Sequence, residues 1–188
     1  FSPVSYTRAP AGVRPLMNPD PFPGFLMGFN PCKPTSVGNI QISSTDPLLP
    51  PKIYSNYLDT EYDKKMMIEG IRLIRRIANA PALNSIIKDE LAPGDGIKSE
   101  NDIAKYIRQK AWSVFHPCST CRMGSNPNVS VVDPKLRVHG VDNLRVVDAS
   151  IFPTIPTGNI NAPSIMVGEY ASDIILKDAK NRKGLSCT

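Results

Sequence analysis

The chain has 188 residues, 41% of them hydrophobic and 21% charged, a balance typical of a folded domain with its own core and not of a disordered segment. The net charge is +5, but the basic residues are not interleaved with aromatic side chains, so the sequence does not favour nucleic-acid binding. No apolar run is long enough to cross a membrane, and four cysteines do not make the disulfide framework of a small secreted protein.

The opening of the chain is rich in proline and lacks a helical period, which indicates extended strands and loops. Residues 24–29 and 38–43 are predicted to form two short strands, the second because polar and apolar residues alternate along it. A helix follows, capped by Asp59 or Thr60. Apolar residues recur along it at spacings of three and four, and Pro81 ends it.

Two further helices are predicted in the middle of the chain. A short one covers about residues 82–90, and the loop Ala-Pro-Gly-Asp-Gly follows it. Ser99, with Asp102 three residues later, resembles a capping box that opens a helix through Ala111.

The last third of the chain is predicted to contain one strand and one helix. Residues 144–147 form a short buried strand, and residues 148–160 form a loop. Pro163 suits the first turn of a final helix that runs to about Leu176. Strands followed by packed helices make the expected fold class α+β, with an antiparallel or mixed sheet.

Residues 116–121, His-Pro-Cys-Ser-Thr-Cys, have a spacing that fits a metal site, a redox dithiol, or a catalytic histidine beside two incidental cysteines. A zinc site needs about four ligands, and this segment supplies at most three. The fourth would have to be one of three residues outside any paired motif: Cys32, His139 or Cys187. A redox dithiol is expected in a βαβ unit, which is not predicted here. We therefore predict that no metal is bound, that Cys118 and Cys121 are buried and reduced, and that His139 lies in a non-catalytic surface turn.

Three ordered segments of the C-terminal half carry a family resemblance: "HPCSTCRMG", "VVDPKLRVHGVDNLRVVDASIFP" and "GNINAPSIMVGEYASDII". They resemble the C-terminal signature of the glucose–methanol–choline (GMC) family of flavin oxidoreductases. The resemblance is strongest to the branch of choline dehydrogenases and related alcohol dehydrogenases and oxidases. Weaker upstream matches extend it to residues 25–177.

The resemblance implies an FAD-dependent enzyme that oxidises the CH–OH group of a small alcohol. It implies His116 as the general base and Asn159 as the residue that orients the alcohol, since imidazole exchanges protons near neutral pH and an amide only hydrogen-bonds. A histidine–asparagine pair occurs in the choline-oxidising branch, whereas sugar and aryl-alcohol oxidases more often carry two histidines. The implied FAD contacts are Asp148, which could instead cap a turn, and Ala149, Asn159, Ile160 and Asn161.

The family's glycine-rich dinucleotide motif, G-x-G-x-x-G, does not occur in these 188 residues. The chain is therefore expected to work with an N-terminal FAD-binding part, on the same precursor or on a companion chain. Residues 1–143 are expected to belong to the substrate-binding domain, residues 144–177 to complete the FAD-binding domain, and residues 178–188 to form a tail. Two other functions remain open: a hydroxynitrile lyase on the same fold, and a non-catalytic fragment.

Overall fold

The computed structural model describes residues 1–5 and 19–185, with side chains described as far as residue 181, so Cys187 lies outside the described residues. Helices and a small antiparallel sheet make up the fold, in agreement with the predicted α+β class. In chain order the elements are β1 (Asn39–Gln41), β2 (Lys52–Tyr54), α1 (Glu61–Ala78), α2 (Pro81–Asn84), α3 (Glu100–Lys110), a single 3₁₀ turn (Ala149–Ile151) and α4 (Asn161–Leu185).

The chain divides into two compact units. The first comprises residues 1–31 and 64–111, and the second comprises residues 32–63 and 112–188, within the described ranges. These units do not follow the functional division predicted at residue 143, which stays a prediction. Both residues of the predicted catalytic pair belong to the second unit.

The sheet of the second unit is a two-stranded hairpin. Strands β1 and β2 pair antiparallel, with Ile40 opposite Ile53, and all their side chains are exposed. The prediction of a strand over residues 38–43 is thus confirmed for its central residues, while β2 was not predicted because two prolines precede it. The strand predicted over residues 24–29 is wrong. Only Leu26 forms a bridge there, with Ser2, because two glycines and several loop residues flank it.

Helix α1 has the predicted bounds, and Thr60 is its cap: the Thr60 hydroxyl accepts a hydrogen bond from Asp63 N at 3.3 Å. Ile68 and Ile71 on its apolar stripe are buried. A Cβ atom at Gly70 would lie 1.9 Å from the ring of Phe29, so the absent side chain lets that ring approach the helix closely.

Helix α3 begins at the predicted cap. The Ser99 hydroxyl accepts from Asp102 N at 3.1 Å and donates to the Asp102 carboxylate at 2.6 Å, and Ile103 and Ile107 are buried. The helix predicted over residues 82–90 is shorter than expected, since α2 ends at Asn84.

The Arg75 guanidinium holds the turns that replace the rest of that predicted helix. It contacts both oxygens of the Glu90 carboxylate at 2.8–3.2 Å and the carbonyls of Gly94 and Ile97 at 3.1 and 2.6 Å. Because these acceptors satisfy its donors, a half-buried cation can hold the loop in place.

The core of the second unit lies between short extended segments and α4. Its buried members are Val132, Leu136, Ile151, Val167 and Ala171, and Val132 is fully buried. The strand predicted at residues 144–147 is wrong: within that range the structure has a single isolated bridge, which pairs Arg145 with Arg137. Leu136, Gly140 and Asn143 have φ angles of +60° to +74°, so the chain reverses too often for a longer ladder to form.

Helix α4 runs nine residues beyond its predicted end, so the expected tail is helical as far as Leu185. Asp178, past the predicted end, forms a half-buried ion pair with Arg145, which attaches this part of the helix to the core segments. No helix among residues 1–5 and 19–185 combines the length and the apolar character needed to cross a membrane.

Asp63 is a buried carboxylate that ties the turn before β1 to the start of α1. It is only 2% exposed and accepts hydrogen bonds from the backbone N–H groups of Thr35 and Ser36, both at 2.8 Å. The hydroxyls of the same residues donate at 3.1 and 2.5 Å. Burial acts to raise the pKa of Asp63, but the hydrogen bonds from Ser36 and Thr35 together outweigh it and lower the pKa below its ordinary value.

We expect Asp63→Asn to lower the free energy of unfolding at neutral pH by about 1–3 kcal/mol, because an amide is a poorer partner for four donors. Since the pKa of Asp63 is lowered on folding, the carboxylate stabilises the fold above its unfolded pKa. That stabilisation is lost as the pH falls through the folded pKa.

The measurement is urea unfolding of the wild type and of Asp63→Asn from about pH 7 to below about pH 4. The stability difference should shrink as the pH falls. Asp59→Asn is the matched control, because the Asp59 side chain is exposed. A difference that stays constant over this range would contradict the assignment.

Candidate active site

His116 lies on an irregular segment that follows α3. Phe115 and Ser119 have φ angles of +60° and +75°, so the chain turns sharply on both sides of the histidine. The His116 side chain is half-buried, whereas Trp112 and Phe115 just before it are exposed, Phe115 at 70%. The imidazole thus follows directly on a run of uncovered apolar side chains.

Two backbone hydrogen bonds join the end of the His116 segment to the start of the loop that carries Asn159. Cys121 N donates to Ser150 O at 3.0 Å, and Met123 N donates to Ile151 O at 2.8 Å. Ile151 is buried in the core of the second unit, so the packing of its side chain holds the backbone that accepts this hydrogen bond. Segments that are almost thirty residues apart in sequence are thereby held side by side.

The predicted loop begins at Asp148, whose carboxylate accepts from Ser150 N at 2.8 Å and from the Ser150 hydroxyl at 2.5 Å. Asp148 therefore caps the 3₁₀ turn through Oδ1, a role that does not oppose a contact between the rest of this residue and a cofactor. Gly158 has a φ angle of +130°, a conformation that side-chain-bearing residues rarely adopt, and Asn159 next to it is exposed.

The N-terminus of α4 follows the loop directly. Its first helical hydrogen bond is donated by Ser164 N to Ile160 O at 2.9 Å. The N–H groups of Asn161 and Ala162 precede that bond, so this end of the helix offers backbone donors and the positive end of its dipole. The side chains of Asn159 and Asn161 are both exposed beside it.

Cys118 and Cys121 are free thiols, as predicted, but they are half-buried and not buried. Cys118 Sγ lies 3.2 Å from the Ser119 hydroxyl. Within the described ranges, no three His, Cys, Asp or Glu side chains come together in a way that could hold a metal ion.

His139 lies in a turn, as predicted, and its half-buried side chain makes hydrogen bonds that were not predicted. Its Nε2 lies 3.0 Å from Gly124 O and 3.1 Å from the Ser130 hydroxyl. The sequence offered no signal for this contact, because it joins residues fifteen apart across a turn.

Residues 34–168 match the GMC oxidoreductase family, and the chain belongs to that family. It is 46% identical over 154 residues to the oxygen-dependent choline dehydrogenase of Photobacterium profundum, covering 81% of this chain and 27% of that protein. It is 44% identical over 154 residues to the alcohol dehydrogenase [acceptor] of Pseudomonas putida, and the match covers 82% of this chain and 28% of that protein. The chain thus spans little more than a quarter of the curated relatives it matches.

Solved structures give the same assignment. The fold is similar to an FAD-dependent oxidoreductase from Chaetomium thermophilum, with a TM-score of 0.75, 30% identity and coverage of 79% of this chain and 26% of that one. It is also similar to a fungal aryl-alcohol oxidase, with a TM-score of 0.73 and 31% identity. That match covers 79% of this chain and 25% of the oxidase chain. The family predicted from the three C-terminal motifs and the α+β class predicted from the order of strands and helices are therefore confirmed.

The thiols are expected to be dispensable for catalysis. The double substitution Cys118→Ser with Cys121→Ser, made in the complete enzyme, should keep most of the turnover, although hydroxyls in half-buried positions can lower stability. Steady-state kinetics and elemental analysis check this. Zinc at one per chain, lost together with activity in the double variant, would restore the metal interpretation.

Proposed function

We propose that this chain is the C-terminal part of an FAD-dependent enzyme that oxidises the CH–OH group of a small alcohol. In this proposal His116 is the general base and Asn159 orients the alcohol. The observation that carries it is the pair of backbone hydrogen bonds from Cys121 and Met123 to Ser150 and Ile151, which joins the segments on which the two residues lie.

The names of the relatives support the reaction class and the cofactor. They are a choline dehydrogenase, an alcohol dehydrogenase, an aryl-alcohol oxidase and an FAD-dependent oxidoreductase. All are oxidoreductases, which favours alcohol oxidation over the lyase alternative. Among them choline and aryl alcohols are named, so a primary alcohol is the proposed substrate class.

The exposed groups at the start of α4 fit a flavin ring. The Asn159 and Asn161 side-chain amides and the N–H groups of Asn161 and Ala162 can all donate hydrogen bonds, which matches the electron-rich carbonyl edge of an isoalloxazine. From Ala149 to Gly168 the sequence contains no Asp or Glu that would oppose negative charge on a reduced ring, and the carboxylate of Asp148 just before it accepts hydrogen bonds from Ser150. We propose that Asp148, Ala149, Asn159, Ile160 and Asn161 contact the FAD.

An N-terminal FAD-binding part is the proposed partner of this chain. Two facts support it: the chain lacks the glycine-rich motif that brings a backbone close to a pyrophosphate, and it spans little more than a quarter of its relatives. In this division, residues 1–143 contribute to the substrate-binding domain and residues 144–177 complete the FAD-binding domain.

The proposed chemistry separates two tasks. Bound FAD supplies the hydride acceptor. The neutral imidazole of His116 takes the hydroxyl proton, and its half-buried position reduces its contact with water. The Asn159 amide donates a hydrogen bond to the alcohol oxygen and does not change protonation during the reaction.

In the complete enzyme, we expect His116→Ala to lower kcat/KM by about 10²–10⁴-fold, the usual cost of losing a general base. Asn159→Ala should lower it less, because only an orienting hydrogen bond is lost. Wild-type kcat/KM should rise with pH as the base becomes neutral, and that rise should be absent in His116→Ala. Steady-state kinetics across pH measures both effects.

Asn128→Ala is the matched control for Asn159→Ala, because Asn128 is an exposed asparagine in a turn outside the proposed site. It should leave kcat/KM unchanged. The flavin absorbance of each variant gives the amount of active enzyme. Turnover in His116→Ala within a few-fold of wild type, with the pH rise intact, would falsify the assignment of the base.

The proposal that FAD binding requires an N-terminal part has a test of its own. Residues 1–188 produced alone should retain no flavin through gel filtration, whereas the complete enzyme should elute with a flavin spectrum. The reason is that the chain lacks a pyrophosphate-binding motif. Flavin absorbance that co-elutes with the isolated chain at one per molecule would contradict the proposed division.

A further inference from the structure

His139 makes a side-chain contact that the proposed chemistry does not use. Its Nε2 lies 3.0 Å from the carbonyl oxygen of Gly124 and 3.1 Å from the hydroxyl of Ser130. A carbonyl oxygen can only accept, so Nε2 carries a hydrogen and donates it. The Ser130 hydroxyl in turn donates to Asn126 O at 2.6 Å, which leaves its lone pairs free to accept from the imidazole.

The turn that receives this donor is closely packed. Ser130 is 9% exposed, and a Cβ atom at Gly124 would lie 3.0 Å from Ser130 Cβ. The backbone of the histidine is also attached to this turn, since His139 N donates to Val131 O at 3.0 Å. The imidazole therefore closes a turn that has little room to adjust.

Gly124 is the last residue of the segment that begins at His116. On one side, Cys121 N and Met123 N of this segment bond to Ser150 and Ile151. On the other side, Gly124 N donates to Val132 O at 2.9 Å, and its carbonyl accepts from His139. The Ser130 hydroxyl also lies 3.1 Å from this carbonyl, but its one hydrogen is directed to the nearer Asn126 O, so the His139 imidazole is the side chain that donates to Gly124.

We propose that His139 is a positioning residue for the oxidation: its Nε2–H holds the Gly124 carbonyl and so fixes the segment that carries His116. This inference rests on the proposed function. His139 touches no substrate in this role. Its contribution is geometric, and displacing a catalytic group by about 1 Å can cost up to 10²-fold in rate.

The test compares three variants of the complete, FAD-loaded enzyme. The side-chain nitrogen of a glutamine reaches about as far as Nε2, and that of an asparagine about as far as Nδ1. We expect His139→Gln to keep kcat within about threefold of wild type, and His139→Asn and His139→Leu to lower kcat per bound flavin about tenfold or more. KM should change less than kcat, because the pocket itself is retained.

Flavin content and the thermal unfolding midpoint are measured for every variant. A role in stability alone would lower these two quantities and leave kcat per bound flavin unchanged, and that result would overturn the inference. If His139→Leu yields no holoenzyme, the positioning role is judged from kcat per bound flavin of His139→Gln compared with that of His139→Asn. Equal kcat in those two variants would also overturn it.

His116→Ala, measured alongside, separates the two proposals. If it loses the pH-dependent rise while His139→Asn and His139→Leu turn over like wild type, the proposed function stands and the positioning role is wrong. If His116→Ala itself turns over like wild type, the proposed function is wrong and the inference falls with it.

Discussion

The candidate site depends on main-chain hydrogen bonds between two segments distant in sequence. Cys121 N and Met123 N donate to Ser150 O and Ile151 O, and Ile151 is part of the buried core. Because peptide groups make these bonds, the arrangement does not depend on which side chains occupy positions 121 and 123. The thiol of Cys121 can therefore be incidental while its backbone is not. The side chains proposed to act, His116 and Asn159, lie on the irregular chain on either side of this junction.

Large apolar side chains remain uncovered in the second unit. Ile42 and Leu48 near the hairpin are 90% and 89% exposed, and Ile165 and Tyr170 on α4 are 61% and 63% exposed. Exposed apolar surface of this extent is typical of faces that another part of a protein covers. That agrees with a chain that spans little more than a quarter of its relatives. Ile165 follows Asn161 by one helical turn of α4, so part of this uncovered surface adjoins the proposed site, where the proposed N-terminal part would cover it.

Features fixed by local sequence were predictable, and features fixed by distant contacts were not. Thr60 and Ser99 mark α1 and α3 because a helix cap is encoded within four residues. The family motifs identified the segments of the candidate site because each motif is a continuous run of residues. By contrast, the Asp63 carboxylate bonds to residues 27 and 28 positions away, and His139 reaches across a turn to Gly124. The extra length of α4 likewise accompanies an ion pair between residues 33 apart, which no periodicity reveals.

The uncharged stretch from Ala149 to Gly168 bears on where the charge of a substrate would be balanced. Because the stretch carries no charge, it neither attracts nor repels a charged alcohol, and this holds for the alcohol that its Asn159 is proposed to orient. Choline is a cation and an aryl alcohol is neutral, yet proteins named for each are related to this chain. The counter-charge for a cationic alcohol must come from residues outside this stretch. A change in the charge of the alcohol would therefore be met outside residues 149–168, where this chain places no charge.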